Sequence, residues 1–443
     1  MKPVRFTLWG LLLALTAAWL LANTFYPRPF TYFALCDALT QYTGIIAVAA
    51  MSVSLLLASR PGWLEPRLGG LDKMYRLHKW LGITGLCAAV THWCWDLGTK
   101  MMLAWGKLTG PEQEKPSVDS SPIESWLYAQ RELAEDVGEW AFYVAVILIA
   151  LALVKRFPYH RFIRTHKWLA LLFIVFAWHG LVLMKFSYWT QPIGWLIAIL
   201  LGSGVFAALW ILLGKTGEKH KTRGKVASLT HYPEAKTLEL EIEPEPGWPG
   251  HEAGQFAFVT LRAGEGAHPY TIASAWTSAS RRLSFVIKAL GDHTHAIRED
   301  LRAGEPVTVE GPYGCFTFGG TQKRQIWIGA GIGITPFIAR MKHLAQTPGT
   351  RDIDLFHPTR VCPPEAFEKL HADARSAGVR LHVILSSRDG RLTGEKIRAA
   401  VPDWQKASIW FCGPSALADA LKTDFIAHGL KADAFHQELF EMR

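Results

Sequence analysis

Two long apolar stretches of the sequence each contain a pair of histidines: His78 and His92 within residues 76–95, and His166 and His179 within residues 164–185. The members of the first pair are 14 residues apart and those of the second pair 13 apart. In an α-helix, which rises about 1.5 Å per residue, either spacing spans roughly 20 Å. Because ionisable side chains in membrane helices are costly, they are usually functional. The pattern predicts two membrane helices with two layers of histidines.

Imidazole is a common axial ligand of haem iron. Two layers roughly 20 Å apart also fit within a hydrocarbon core about 30 Å thick. We therefore predict two bis-histidine sites for b-type haems, one shared by His78 and His166 and the other by His92 and His179. A lone histidine on an apolar helix is more often a buried structural residue, but that reading explains two matched pairs poorly.

The two spacings differ in helical phase. At about 100° per residue, 14 positions return nearly to the same face of a helix, whereas 13 positions miss it by roughly 140°. His166 must therefore lie at a helix end, or its helix must be overwound or bent. We expect an irregularity between His166 and His179.

Residues 1–214 are dominated by long apolar runs, which predict an all-α transmembrane domain of six helices. The predicted crossings are residues 6–22, 42–58, 78–96, 140–154, 166–186 and 193–213. The first run follows Lys2 and Arg5 and resembles a signal peptide, but its length and the lack of a clear cleavage site favour an uncleaved helix.

Charge in the loops predicts the orientation. Lys and Arg cluster between crossings two and three and between crossings four and five, whereas residues 98–139 are acidic. The positive-inside rule then places both termini and the soluble half in the cytoplasm of a bacterial cell, with the chain in the inner membrane. Crossings three and five run in the same direction, so His78 and His166 share the cytoplasmic layer. The net charge of +9 lies mainly in these loops, which argues against nucleic-acid binding.

The rest of the chain has the pattern of a soluble α/β protein. Residues 215–224 form a basic linker, and residues 225–320 contain short β-type runs separated by Gly and Pro turns, as in a small antiparallel barrel. The turn at 311–314 is expected to close this barrel. Residues 321–443 alternate strands and helices, which predicts a Rossmann-like nucleotide domain.

The barrel contains the segment His268-Pro269-Tyr270-Thr271-Ile272-Ala273-Ser274. It resembles the flavin-binding motif of the ferredoxin–NADP reductase superfamily, in the form found in transmembrane ferric reductases and NADPH oxidases. The resemblance implies FAD, with Tyr270 and Thr271 on the flavin and His268 near its phosphates. Residues 288–294 resemble the second phosphate-binding segment of that family, which implies roles for Lys288, Gly291 and Thr294.

A glycine-rich turn follows the strand predicted at residues 325–328 and precedes a helix. Such a turn lets the backbone approach a dinucleotide pyrophosphate at a helix N-terminus. Its key positions are Gly329, Gly331, Gly333, Thr335 and Pro336. Proline in place of a third glycine resembles the GxGxxP version of the same superfamily.

Three later segments resemble other parts of that family. Ser387 and Arg388, supported by Arg360, resemble the residues that recognise the 2′-phosphate of NADPH, which favours NADPH while leaving NADH possible. The resemblance also implies that Cys412, Gly413 and Pro414 lie beside the nicotinamide and that Phe440 covers the flavin.

Together these features indicate an oxidoreductase. A hydride carries two electrons and haem iron accepts one, so a flavin is the natural converter between them. We expect electrons to pass from cytosolic NADPH through FAD and two haems to an external acceptor, a ferric chelate in the first instance. Dioxygen, a periplasmic protein or a quinone stay open as acceptors. Two other classes stay open: a six-span channel or transporter with a nucleotide-sensing domain, and a flavin reductase merely tethered to lipid.

Overall fold

The computed structural model describes residues 2–23, 30–109, 121–154, 156–157, 159–262, 266–277, 280–289, 294, 297–298, 300–361 and 363–438. The chain divides into two compact units, one comprising Met1–Leu68 and Lys73–Thr216 and the other Gly69–Asp72 and Gly217–Met442. The first unit is helical, and the second contains two β-sheets with flanking helices.

The first unit contains nine described α-helices in chain order. They are α1 (Lys2–Ala22), α2 (Tyr32–Ala58), α3 (Glu65–Leu68), α4 (Leu71–Ala104), α5 (Pro122–Tyr128), α6 (Arg131–Leu153), α7 (Tyr159–His166), α8 (Trp168–Leu183) and α9 (Pro192–Leu212).

Five helical segments of the described chain are long and apolar enough to cross a membrane: Pro3–Ala22, Tyr32–Ala58, Arg131–Leu153, Arg161–Leu183 and Pro192–Leu212. They agree with five of the six predicted crossings. The other predicted crossing, residues 78–96, lies within α4, a continuous helix of 34 residues. Charged residues near both ends of α4, such as Arg76 and Lys100, make its composition more polar than that of the five.

Contacts along α2 fix the directions of the histidine helices. Gly85 of α4 packs against Ala47 and Met51 of α2, and His92, later in α4, packs against Gly44, earlier in α2. The two helices are therefore antiparallel.

The helix α8 is also antiparallel to α2. Gly180 of α8 lies against Val48 of α2, and Gln41, two helical turns earlier in α2, donates a hydrogen bond to the Leu183 carbonyl. Hence α4 and α8 run in the same direction, as the sequence predicts. Phe173 of α8 packs against Gly204 of α9.

The predicted irregularity is confirmed at Lys167, between α7 and α8. The Lys167 amide is 3.4 Å from the Ile163 carbonyl, and the Ala170 amide donates to the Lys167 carbonyl, three residues back, at 3.1 Å. The helix is interrupted here, so His166 lies at a helix end. This break lies between His166 and His179, where the difference in helical phase predicts an irregularity.

The first sheet of the second unit is a curled, six-stranded antiparallel half-barrel with the order β4-β3-β6-β1-β2-β5. A bridge between Ile272 and Phe285 brings its two edges together. The strands are β1 (Lys221–Tyr232), β2 (Thr237–Pro244), β3 (Phe256–Thr260), β4 (His268–Thr271), β5 (Leu283–Lys288) and β6 (Pro306–Tyr313).

Two boundaries differ from the sequence-based expectation. β1 begins at Lys221, within the stretch predicted as a linker, because residues 221–225 pair with β6. Gly311 and Pro312 lie within β6 rather than in a closing turn, because Tyr313 still pairs with Phe256 of β3.

The second sheet is parallel, with the order β11-β10-β7-β8-β9. Buried apolar residues cover both of its faces, as expected for a parallel sheet. Its strands are β7 (Arg324–Gly329), β8 (Asp352–Thr359), β9 (Arg380–Leu385), β10 (Ser408–Cys412) and β11 (Phe435–Gln437); its helices are α10 (Thr335–Gln346), α11 (Pro364–Ser376), α12 (Gly394–Ala400) and α13 (Ser415–Ala427).

A buried carboxylate joins three strands near the amino ends of the parallel sheet. Asp354 of β8 accepts hydrogen bonds from Arg380 and His382 of β9 and forms an ion pair with Arg324 of β7 at 2.7 Å. Burial alone would raise the pKa of Asp354, but the His382 and Arg380 hydrogen bonds and the Arg324 charge lower it to about 2.

This cluster predicts acid sensitivity of the second unit. A carboxyl with a lowered folded-state pKa stabilises the fold above its unfolded pKa and loses that effect as the pH falls through its folded pKa. For Asp354, about 2 kcal/mol should disappear between roughly pH 4 and pH 2. Urea unfolding of the full chain in detergent should show this dependence. Asp354→Asn should weaken it, whereas exposed Asp352→Asn should leave it intact; equal curves for wild type and Asp354→Asn would contradict the assignment.

Candidate functional site

The four predicted histidines meet in two pairs. The ring centres of His78 and His166 are 5.8 Å apart, and those of His92 and His179 are 6.3 Å apart. Within each pair the ring planes are steeply inclined, at 71° and 76°. The helix α4, on one side, and α7 with α8, on the other, therefore present the paired layers that the sequence predicts.

These separations fit a metal held jointly by two imidazoles. A metal–imidazole bond is about 2.0 Å long, and an imidazole nitrogen lies roughly 1.2 Å from its ring centre. Two rings on opposite sides of one metal thus have centres roughly 6.4 Å apart, close to both observed values. A metal shared by the two rings would account for their separation without a hydrogen bond or a stacking contact between them.

Three of these rings are held by backbone carbonyls of neighbouring helices. His78 Nδ1 lies 2.9 Å from the Ser54 carbonyl, His92 Nδ1 lies 2.9 Å from the Thr40 carbonyl, and His179 Nδ1 lies 2.7 Å from the Ala134 carbonyl. A ring that donates its Nδ1–H to a carbonyl has a lone pair on Nε2, the form that binds metals. The two acceptors on α2 are 14 residues apart, like the two histidines of α4.

Glycines make room for two of these hydrogen bonds. Gly44 and Gly138 each follow an accepting residue by four positions, one helical turn after Thr40 and Ala134. A Cβ at Gly138 would overlap the His179 ring, and one at Gly44 would lie 3.3 Å from the His92 ring. Sequence reasoning missed both glycines and the accepting residues; the available signal was glycine inside a membrane helix.

The predicted flavin segment forms the edge strand β4. His268, Pro269, Tyr270 and Thr271 pair with β3, and the first three remain partly accessible while Thr271 is buried. An accessible edge with aromatic and polar side chains fits a flat heteroaromatic ligand. The Ser274 hydroxyl accepts a hydrogen bond from the Ser284 amide at 3.1 Å, so it anchors the loop after β4.

The second predicted phosphate segment is described in part. Lys288 ends β5 opposite Thr237 of β2, and Thr294 follows it. Gly291 and Phe440 lie outside the described residues.

A buried histidine connects Lys288 with the glycine turn. His357, near the end of β8, donates from Nδ1 to the Gly329 carbonyl at 2.7 Å. Burial lowers the pKa of His357, and the charge of Lys288 lowers that pKa further. The ring is therefore neutral at neutral pH.

An ion pair links the parallel-sheet part of the second unit to the half-barrel. Lys369 of α11 donates to both carboxylate oxygens of Glu239 of β2, at 2.8 and 2.7 Å.

The glycine turn has the predicted strand–turn–helix form. β7 ends at Gly329, Gly331 has a φ of 56°, and α10 begins with Thr335 and Pro336. A Cβ at Gly333 would overlap the Cys412 carbonyl, so only glycine allows this turn to approach β10 so closely. This geometry leaves backbone donors and a helix N-terminus available to a pyrophosphate.

Cys412 lies at the end of β10, next to the glycine turn. Its carbonyl accepts from the Ala330 amide at 2.9 Å, and Gly413 has a φ of 153° where Ala330 packs against it. Burial, with the charge of Glu438 adding to it, raises the pKa of the Cys412 thiol well above its usual range. The Cys412 side chain is therefore a neutral thiol. Pro414, two residues later, immediately precedes α13. Sequence reasoning missed Glu438.

The two predicted arginines lie on adjacent loops. Arg360 follows β8, Arg388 follows β9, and both are exposed. The Ser386 amide donates to the Thr359 carbonyl at 3.0 Å, which holds the loops together, and Ser387 is exposed between them. Arg388 forms a surface ion pair with Asp389 at 2.8 Å. Exposed guanidinium groups at this edge fit a phosphate ligand.

Two family models match the chain. Residues 43–177 match the ferric reductase-like transmembrane component, and residues 222–317 match a FAD-binding domain. The first match covers three of the four histidines, and the second covers both flavin segments.

Curated relatives match slightly less than half of the chain. A glycine betaine monooxygenase reductase subunit from Chromohalobacter salexigens is 26% identical over 219 residues, which cover 46% of this chain and 54% of that protein. A Mycobacterium tuberculosis protein named NADPH oxidoreductase is 26% identical over 209 residues, 44% of this chain and 54% of that protein. The chain thus spans about half the length of these relatives.

Solved structures also align with about half of the chain. The flavohem-like FAD/NAD binding domain of nitric oxide dioxygenase from Vibrio cholerae is 17% identical, covers 49% of this chain and 98% of its own, and has a TM-score of 0.44. Phthalate dioxygenase reductase is 24% identical, covers 50% and 68%, and has a TM-score of 0.41. Scores this low add nothing to the assignment, which rests on the family models and the strand topology. The chain combines a ferric reductase-like transmembrane domain with a FAD-binding domain of the ferredoxin–NADP reductase type, the combination that marks the transmembrane ferric reductase and NADPH oxidase family.

Proposed function

We propose that this protein carries electrons across a membrane, from cytosolic NADPH through FAD and two b-type haems to an external acceptor, a ferric chelate in the first instance. The observation that supports this most strongly is the separation of the paired imidazoles, 5.8 and 6.3 Å between ring centres, on helices of one bundle. Flavin and nucleotide segments on the same chain would supply a source of electrons.

Each group would be held by residues described above. His78 with His166, and His92 with His179, would bind the haem irons. The edge strand β4 and Lys288 would bind FAD, and the glycine turn with Arg360 and Arg388 would bind NADPH. When bound, the flavin would convert hydride chemistry into single-electron chemistry and the haems would relay single electrons.

The chain's residues orient these groups. Neutral His78, His92 and His179 would present Nε2 because their Nδ1–H groups are engaged by carbonyls. The neutral thiol of Cys412, beside the glycine turn, would shield the nicotinamide site from water without adding charge. With each iron held by two histidines of the chain, the external acceptor would receive electrons without binding the metal.

Chain direction supports the cytosolic assignment of the His78 layer. α8 runs from the His166 end towards His179, and α9 returns in the opposite direction before the chain enters the second unit. The last helix of the first unit, α9, therefore ends on the side of the bundle that carries His78 and His166. We propose α4 as the sixth crossing: its 34 residues extend about 51 Å, more than a bilayer core needs.

Sealed vesicles test this function. With NADPH supplied on the side of the second unit and a ferric chelate enclosed inside, we expect NADPH-dependent formation of ferrous iron in the lumen. His92→Ala with His179→Ala should abolish lumenal reduction and retain NADPH-dependent dye reduction outside. Retained lumenal reduction in that double variant would refute the route. Superoxide in place of ferrous iron would assign dioxygen as the acceptor.

The glycine next to His179 gives a graded prediction. Gly138→Ala should displace the His179 ring and lower the haem content of the purified protein from two to about one per chain. Gly44→Ala, with a Cβ 3.3 Å from His92, should lose much less. Gly202→Ala is the control, because a Cβ there meets nothing within 4 Å. Full haem content in Gly138→Ala would contradict the proposed role of His179.

Arg388 gives a prediction about cofactor choice. Removing a charge-assisted contact to phosphate costs about 1.5–3 kcal/mol, so Arg388→Ala should raise the KM for NADPH roughly 10- to 100-fold. The KM for NADH should hardly change, since NADH lacks the 2′-phosphate. Exposed Arg391→Ala serves as the matched control. Equal changes for both nucleotides would rule out 2′-phosphate recognition by Arg388.

A further inference from the structure

Ser54 of α2 contacts His78 with both its hydroxyl and its carbonyl. The Ser54 Oγ lies 2.8 Å from His78 Nδ1, and the Ser54 carbonyl oxygen lies 2.9 Å from the same nitrogen. Ser54 is buried, with only 7% of its surface exposed. Its hydroxyl therefore interacts with protein groups rather than with bulk water.

The hydroxyl has a second contact that defines its direction. Ser54 Oγ lies 3.4 Å from the His78 carbonyl, to which it can donate its proton. An oxygen lone pair then remains to accept the proton of His78 Nδ1. One side chain thus connects to both the backbone and the ring of His78.

This arrangement differs from the usual behaviour of serine in a helix. Ser52, two residues earlier, donates within its own helix to the Val48 carbonyl at 2.8 Å, and Thr43 does the same to Leu39. Serine and threonine commonly bond the carbonyl four residues back. The Ser54 hydroxyl instead reaches across to α4.

The His78 layer therefore differs from the His92 layer. His92 Nδ1 and His179 Nδ1 each donate to a single backbone carbonyl, whereas His78 Nδ1 lies against a carbonyl and a hydroxyl. Acceptors on the outer nitrogen of a ligating imidazole make the ring more electron-rich and stabilise the more highly charged state of the metal. The added acceptor thus favours ferric over ferrous iron in the His78 layer.

We propose that Ser54 is a positioning residue that lowers the reduction potential of the haem held by His78, relative to the haem held by His92. This inference rests on the proposed function. A lower reduction potential of the haem held by His78 would make electron transfer from it to the haem held by His92 favourable. Ser54 would thus make the reduction potentials of two otherwise similar haem sites unequal, and this inequality would set the direction of electron transfer between them.

A redox titration of the purified full chain, followed by the absorbance of haem, tests this. The wild type should show two reduction steps. In Ser54→Ala the lower potential should rise, increasing the ferrous-to-ferric ratio of that haem about threefold to tenfold at a fixed applied potential, and the upper step should stay in place. Ser54→Thr, which restores a hydroxyl, should return the lower step towards its wild-type position.

The control is Ser52→Ala, an identical substitution of a buried serine in the same helix, which should move neither step. An unmoved lower step in Ser54→Ala, or equal movement of both steps, would overturn the role of Ser54. Should Ser54→Ala bind too little haem to titrate, Ser54→Cys retains a weak acceptor of similar size and should give an intermediate shift. A wild-type protein with fewer than two haems would instead refute the proposed function, and this inference with it.

Discussion

The helical unit depends on hydrogen bonds between imidazole rings and the backbone carbonyls of adjacent helices. A polar ring in an apolar environment is costly unless it is bonded, and a helix carbonyl already accepts one bond from its own helix. The second lone pair on that oxygen can accept only where the histidine ring can approach it. Gly44 and Gly138 provide that access, since a Cβ at either position would press on the histidine ring. The result is a set of rings with fixed tautomers that face one another across a gap.

The second unit depends on a different close approach. The turn after β7 and the loop after β10 are in contact because Gly333 and Gly413 have no side chains. The Ala330 amide and the Cys412 carbonyl are joined at this point. Neighbouring strands of a parallel sheet end at the same edge. The turn predicted to bind pyrophosphate therefore lies next to Cys412, the cysteine predicted to lie beside the nicotinamide. The Lys369–Glu239 ion pair then links the parallel sheet to the half-barrel.

Much of this arrangement could be predicted from periodicity and local motifs. Apolar runs identified five crossings, the mismatch between spacings of 13 and 14 predicted the break found at Lys167, and the strand–turn–helix pattern at Gly329 was confirmed. Boundaries were harder to predict. Lys221 reads as part of a basic linker, and only its pairing with β6 makes it a strand residue. The partners of the histidines were out of reach, because Thr40, Ser54 and Ala134 contribute backbone oxygens, which carry no signature in the sequence. Glu438 was missed because its proximity to Cys412 comes from strand order.

The most direct test of the account is the haem content and absorption spectrum of the purified full chain. The account predicts two b-type haems per chain, both six-coordinate and low-spin, alongside one FAD. Substitution of His78 or His92 by alanine should remove one haem and leave the spectrum of the other unchanged. A folded protein that binds FAD and NADPH, yet contains no haem after expression with ample haem supply, would contradict the central claim.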